Sequence, residues 1–201
     1  RGLPPPVISE FMSRKDSRAY YDEGTEFQIG RIEMVANTGT YIDSPFHRYP
    51  QGKDLSQLPL TSIANLNGIV IRSQPEEREV GKGLLAGCDL RGKAVLVHTG
   101  WDRHWGTERY FQDHPFLTGE AAEYLVEAGA VLVGIDSLNI DDTSGGRRPV
   151  HSILLEAEIP IVEHMCNLGQ LPDSGFELVA ASVKIEGFAS FPVRAFALIE
   201  K

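Results

Sequence analysis

The clearest periodic segment of the chain lies between Thr118 and Gly129. Ala121, Tyr124, Leu125 and Ala128 fall at i, i+3, i+4 and i+7, so one face of a helix is apolar. Thr118 supplies a hydroxyl that caps the first free N–H groups, and Gly129 tolerates the left-handed conformation that ends a helix. Two apolar runs without alternation flank it, at 94–98 (Ala-Val-Leu-Val-His) and 130–135 (Ala-Val-Leu-Val-Gly-Ile). Runs of this kind belong to strands buried on both faces. Strand, helix, strand predicts a βαβ unit with a right-handed crossover.

Weaker patterns fill in the rest. Residues 31–36 alternate polar and apolar like a strand, 68–72 and 160–162 read as short strands, and 179–185 and 193–199 as closing strands. A helical turn is expected within 81–88 and a short helix over 163–171. Residues 49–54 are turn-rich and 76–79 form a charged loop. The prolines at 4–6 and the charged stretch 13–26 make 1–30 an irregular arm, leaving 31–201 as the folded domain. Strands that cross over helices and also follow one another directly predict an α/β fold with a mixed sheet. With 201 residues, 42% of them hydrophobic, and no Gly/Ser/Pro-rich linker, one domain is expected.

A net charge of -9 and no basic cluster larger than Arg147-Arg148 argue against nucleic-acid binding, which needs cations opposite phosphates. No apolar run is long enough for a transmembrane helix. Cys88 and Cys166 are far apart and in no CxxC pattern, which favours a reducing, cytoplasmic setting with Cys166 as a small buried residue. The chain opens at Arg1 without a methionine or a signal pattern, which leaves room for a preceding segment.

The segment 37–47, Asn-Thr-Gly-Thr-Tyr-Ile-Asp-Ser-Pro-Phe-His, carries the densest chemistry. Asp43 and His47 lie four apart on a stretch stiffened by Pro45, a spacing useful for metal ligation or proton transfer. Taken alone, Asp43 is equally well read as a turn cap and His47 as a surface residue. Further along, His151 and Glu163 are twelve residues apart; separately they read as an ordinary histidine and a favourable charge starting a helix. Ser137 and Ser144 lack any Gly-x-Ser-x-Gly context, so a serine hydrolase is not indicated. Gly145-Gly146 followed by Arg147-Arg148 offers anion-binding groups without the helix of a phosphate loop.

Together these residues resemble the cyclase family of metal-dependent hydrolases, which includes kynurenine formamidases and isatin hydrolases. Its pattern, His-x-Gly-Thr-His-x-Asp-x-Pro-x-His, is met at Gly39, Thr40, Asp43, Pro45 and His47, while Asn37 and Tyr41 stand in place of its first two histidines. Its later His/Glu pair is met by His151 and Glu163, and Thr99-Gly100-Trp101 and 192–195 (Pro-Val-Arg-Ala) are also similar. The resemblance implies a swivelling β/β/α fold with a barrel-like mixed sheet in a catalytic domain over 31–201. It further implies Asp43, His151 and Glu163 as ligands of a divalent metal, Zn or Mn, with His47 as the general acid/base. One ion is expected rather than two, because Asn37 and Tyr41 replace ligands; no ion at all is the other outcome. Asn37, Tyr41, Phe46 and Trp101 are then candidates for binding substrate. The implied activity is hydrolysis of an amide or cyclic amide of a small aromatic molecule, arylformamidase-like, in tryptophan catabolism, by a cytoplasmic homodimer or higher oligomer. The alternative is a degenerate small-molecule binding protein on the same scaffold.

Overall fold

The runs at 94–98 and 130–135 and the helix between them form the βαβ unit that their patterning predicts. The computed structural model describes residues 2–74 and 77–199. Its strands begin with β1 (Val7–Met12), β2 (Ile29–Glu33), β3 (Tyr41–Asp43), β4 (Leu66–Arg72), β5 (Glu79–Val80) and β6 (Ala94–His98). They continue with β7 (Phe116–Leu117), β8 (Leu132–Ile135), β9 (Ile161–Glu163), β10 (Ser174–Val179), β11 (Ser190–Pro192) and β12 (Phe196–Ile199). The helices are α1 (Arg14–Ser17), α2 (Lys82–Leu85), α3 (Gly119–Ala128) and α4 (Pro149–Glu156).

One eight-stranded sheet, in the order β11-β3-β9-β8-β6-β4-β10-β12, curls into a half-barrel. Its centre, β4, β6, β8 and β9, is parallel, and antiparallel strands extend both edges. The single α/β domain with a mixed, barrel-like sheet is therefore as expected. Period-two alternation divides the core between the sheet's faces. Val95, Val97, Val133, Ile135 and Ile161 pack with Leu125 of α3 and Leu154 of α4. Leu96, Leu132 and Val162 pack on the opposite face with Met165, Phe176 and Leu178. Each such buried side chain contributes roughly 1.5–3 kcal/mol of transfer free energy.

Several local expectations need correction. The arm is ordered: β1 and β2 pair as an antiparallel ribbon (Val7 opposite Glu33), and Ser13 caps α1. The boundary at residue 30 therefore falls inside β2. Glu163 ends a strand and starts no helix. His164 (φ 54°) and Asn167 (φ 62°) adopt left-handed backbone, which breaks a helix, and only a 3₁₀ turn at Leu168–Gln170 forms. The strand expected over 179–185 runs instead from Ser174 to Val179, and the last strand begins only at Phe196. Of the charged loop at 76–79, Glu76 lies outside the described residues and Glu79 opens β5. Cys166 is exposed, not buried, and both cysteines are free. Helix α4, which the sequence reading missed, begins at Pro149, whose fixed φ suits a first turn.

Gly68 of β4 sits opposite Phe176 of β10, and a Cβ there would lie 2.0 Å from the buried ring. Gly68→Ala should destabilise the fold by about 1–3 kcal/mol through overpacking. The check is the urea midpoint; a variant as stable as the parent would contradict this close approach.

Candidate metal and catalytic site

The register of the sheet assembles half of the site. Tyr41 pairs with Glu163, and Asp43 pairs with Ile161 on one side and Ser190 on the other. Because alternate residues share a face, Tyr41, Asp43, Ile161, Glu163 and Ser190 all project to the α4 side, with Ile42 and Val162 on the other. Directly opposed residues bring their Cβ atoms to roughly 5 Å. Hence the Ser190 hydroxyl donates to Asp43 Oδ1 and the Tyr41 hydroxyl to Glu163 Oε2, both as short contacts. Helix α4 supplies His151 from above.

Asp141 makes that histidine usable. Its carboxylate accepts the α4 N–H groups of Val150 (2.8 Å) and His151 (3.0 Å), and also lies 2.6 Å from His151 Nδ1. An anion at a helix N-terminus satisfies free donors and complements the dipole. The same contact fixes the proton on Nδ1 and turns the Nε2 lone pair inward. Nε2 is 3.7 Å from Asp43 Oδ2 and 3.6 Å from Glu163 Oε1. Asp43 Oδ2 is buried and, among the described residues, has no hydrogen-bond partner. Two inward-facing acceptors so close require a proton or a cation between them. Without a cation a proton takes the place. Burial pulls the His151 pKa down, but the carboxylates of Asp141, Asp43 and Glu163 outweigh it and carry the imidazole up to about 10. Burial, with the Asp43 charge adding to it, pushes Glu163 up to about 7.

Glu163 is also held by the Ile140 N–H (2.6 Å) and Asn139 Nδ2 (3.3 Å). Tyr41 stays protonated, because burial and then the Glu163 charge raise its pKa well above 10. His47 lies at the rim on the 3₁₀ turn Pro45–His47. Its Nδ1 is 3.0 Å from the Ser190 hydroxyl and 3.5 Å from Asp43 Oδ1. Since Ser190 gives its proton to Asp43, it accepts from His47 Nδ1–H, so Nε2 is the ring nitrogen of His47 left for a bound molecule. Asp43, His47 and His151 offer ligand atoms within 4.8 Å of one another.

A polar chamber opens onto these groups, and an apolar one shares four of its lining residues. The polar one, of about 390 Å³, is lined by Tyr41, His47, His151, Arg48 and Arg148 among others. The apolar one, of about 500 Å³, is bounded by Trp105, Tyr110, Phe111, Leu138 and the prolines at 4–6. Leu3, Asn37, Asn139 and His164 belong to both. The structure thus brings Asp43, His47, His151 and Glu163 together and sets Asn37 and Tyr41 on the wall. Phe46 and Trp101 line neither chamber. Trp101 is buried, its indole N–H on Tyr110 O (3.1 Å), and Trp105, one 3₁₀ turn later, takes the exposed position. Asp136 sets this turn by accepting the N–H groups of Thr99 and Gly100, each at 2.8 Å.

Sequence reasoning missed Ser190, the role of Asp141, and His164. Burial holds the His164 imidazole down to about 4, so it is neutral at pH 7. Tyr110, whose pKa burial raises, donates to His164 Nδ1 at 2.8 Å and leaves an Nε2–H donor on the ring. Ser190 and His164 lie beside the noted 192–195 and Glu163, the only signal that pointed to them.

Fold and site define an α/β protein with a cluster of side chains, Asp43, His47 and His151, that could hold a metal ion. The chain belongs to the Cyclase family, whose model ("Putative cyclase") matches residues 6–142. It is 30% identical over 175 residues to a kynurenine formamidase of Geobacillus thermodenitrificans, covering 86% of this chain and 81% of that one. In fold it is similar to isatin hydrolase A from Labrenzia aggregata, with a TM-score of 0.83 at 23% identity over 100% of this chain and 86% of the other. It is also similar to a "predicted metal-dependent hydrolase" from Bacillus stearothermophilus, with a TM-score of 0.67 at 26% identity over 94% and 85% of the two chains.

A ligating imidazole must be unprotonated, so a divalent cation that takes His151 as a ligand at pH 7 has to expel the His151 proton and any proton held by Glu163. With pKa values of about 10 and about 7, calorimetry in buffers of differing ionisation enthalpy should register the release of roughly one to two protons per ion. Binding with no proton release would remove His151 from the ligand set.

Proposed function

We propose that this protein is a metal-dependent hydrolase that cleaves an amide or cyclic amide of a small aromatic molecule, in the manner of an arylformamidase. One observation carries the reading: a buried carboxylate oxygen without a donor among the described residues, Asp43 Oδ2, is faced at 3.7 Å by Nε2 of a histidine whose other nitrogen is already committed. Asp43, His151 and Glu163 would hold one Zn²⁺ or Mn²⁺, since carboxylate and imidazole suit both. Lewis acidity is what such an ion supplies when bound: water becomes nucleophilic near neutral pH and an amide carbonyl is polarised. A second ion is not proposed. Asn37 stands where the resembled pattern has a histidine and offers only a neutral amide, and Tyr41, at the other such position, spends its hydroxyl on Glu163.

The remaining work falls to the chain's own residues. His47 Nε2 takes a proton from attacking water and returns it to the departing nitrogen. Ser190, itself held by Asp43, orients the ring through its Nδ1. Trp105 and Tyr110 border a space suited to an aromatic ring. His164 Nε2–H and Asn37 are positioned to meet a substrate oxygen. Likeness to kynurenine formamidases supports a place in tryptophan catabolism. The sparse, free cysteines support a cytoplasmic setting. Exposed Ile8, Phe11 and Ile32 on the β1–β2 ribbon support assembly as a homodimer or higher oligomer.

The Tyr41–Glu163 hydrogen bond favours a second reading, a binding protein on the same scaffold that no longer turns substrate over. Turnover decides between them. The metal-loaded protein should hydrolyse N-formylkynurenine or isatin, and His47→Ala should lower kcat by about 10²- to 10⁴-fold with little change in KM. A metal-loaded protein that hydrolyses neither supports the second reading, and activity that survives chelation rejects metal dependence.

A further inference from the structure

Resting on that reading, we infer that the polar chamber contains a carboxylate subsite formed by Arg48 and Arg148, so the preferred substrate is an aromatic acid. Both guanidinium-bearing residues line the chamber that holds His47 and His151. Arg48 commits only Nε, which donates to Ser152 Oγ at 3.1 Å. Arg148 commits Nη1, which donates to the carbonyls of Asp142 (3.1 Å), Gly145 (2.8 Å) and Arg147 (2.7 Å). Among the described residues neither is ion-paired with a carboxylate, whereas Arg18, Arg72, Arg78 and Arg109 each are. Each therefore keeps donors for a ligand. A planar fork of N–H groups suits a carboxylate, which it binds through charge-assisted hydrogen bonds.

The division of the cavity fixes which end of the substrate goes where. The apolar chamber is bounded by Trp105, Tyr110, Phe111 and Leu138 and, among the described residues, has no lysine or arginine on its wall. A ring settles there, and an anionic group on it is stabilised where Arg48 and Arg148 stand. The two arginines supply the cationic partner that selects for the acid. The Gly145-Gly146-Arg147-Arg148 segment thus contributes Arg148 to a substrate subsite, where a phosphate loop would need a glycine-rich turn leading into N–H groups.

Binding of two compounds without a scissile bond tests this apart from catalysis. Anthranilate and aniline share the ring and amine and differ by one carboxylate. The metal-loaded parent should bind anthranilate at least about tenfold more tightly than aniline, read by calorimetry or tryptophan fluorescence. Arg48→Gln should cut that preference by about tenfold or more. Because Arg148 also clasps a loop, Arg148→Gln is judged only with its melting temperature unchanged, and Arg48→Gln stands as the primary variant. No preference for anthranilate, or a preference that Arg48→Gln leaves intact because the bound ion alone takes the carboxylate, overturns the inference. Where the protein turns over aryl formamides, the ratio of kcat/KM for N-formylanthranilate to that for formanilide should fall in parallel. Failure to turn over either formamide with the binding preference intact overturns the hydrolase reading and leaves the subsite standing.

Discussion

The closest constraint in this molecule is the meeting of two buried groups, Asp43 Oδ2 and His151 Nε2, beside the polar chamber. Neither atom carries a hydrogen when Asp141 holds the proton on His151 Nδ1, and neither finds a donor elsewhere in the described residues. A fold that leaves a carboxylate oxygen buried and unpaired gives up on the order of 1–3 kcal/mol or more. Burial of this kind is stabilised by a positive charge between the two atoms. In the isolated chain that charge is a proton on His151. In the working state proposed above it is a divalent ion.

Secondary structure makes the meeting unavoidable. The β11-β3-β9 register sets Ser190 beside Asp43 and Tyr41 beside Glu163 on a single face. The anionic cap of α4 by Asp141 sets the height and rotation of His151. One carboxylate thus does two jobs, satisfying the free N–H groups of a helix and orienting a ligand. Distortion of either the strand register or the cap would misplace the same pair of atoms. His47 is tied to the cluster through Ser190, yet its side chain remains 35% exposed, the exposure a group needs to exchange protons with a bound molecule. The polar and apolar chambers then extend the fixed chemistry into a shape that reads a ring at one end and charge at the other.

Much of this was legible before any coordinates. The βαβ unit around α3 announced itself because a good N-cap, a stop glycine and an uninterrupted apolar run all agree there. Asp43, His47, His151 and Glu163 were legible through the resemblance to the cyclase pattern, whose spacing survives even when local structure is misread. The short helix expected over 163–171 does not form. Left-handed backbone at His164 and Asn167, which side chains of these types do not announce, ended the strand instead. Ser190 and Asp141 act only through partners 147 and 10 residues away, and such pairings are not encoded in local patterning. Trp101, expected to bind substrate, is buried instead, because a 3₁₀ turn, invisible in hydropathy, decides which indole points inward. The β1–β2 ribbon went unread because its pairing partner lies beyond a charged segment and its faces stay exposed.

The account stands or falls on where an ion sits. Crystals of the chain equilibrated with Zn²⁺ or Mn²⁺, measured on both sides of the metal's absorption edge, should give one anomalous peak at roughly 2.0–2.2 Å from Asp43 Oδ2 and His151 Nε2. Saturating metal with no peak between these two atoms, or a peak held by other side chains, would contradict it.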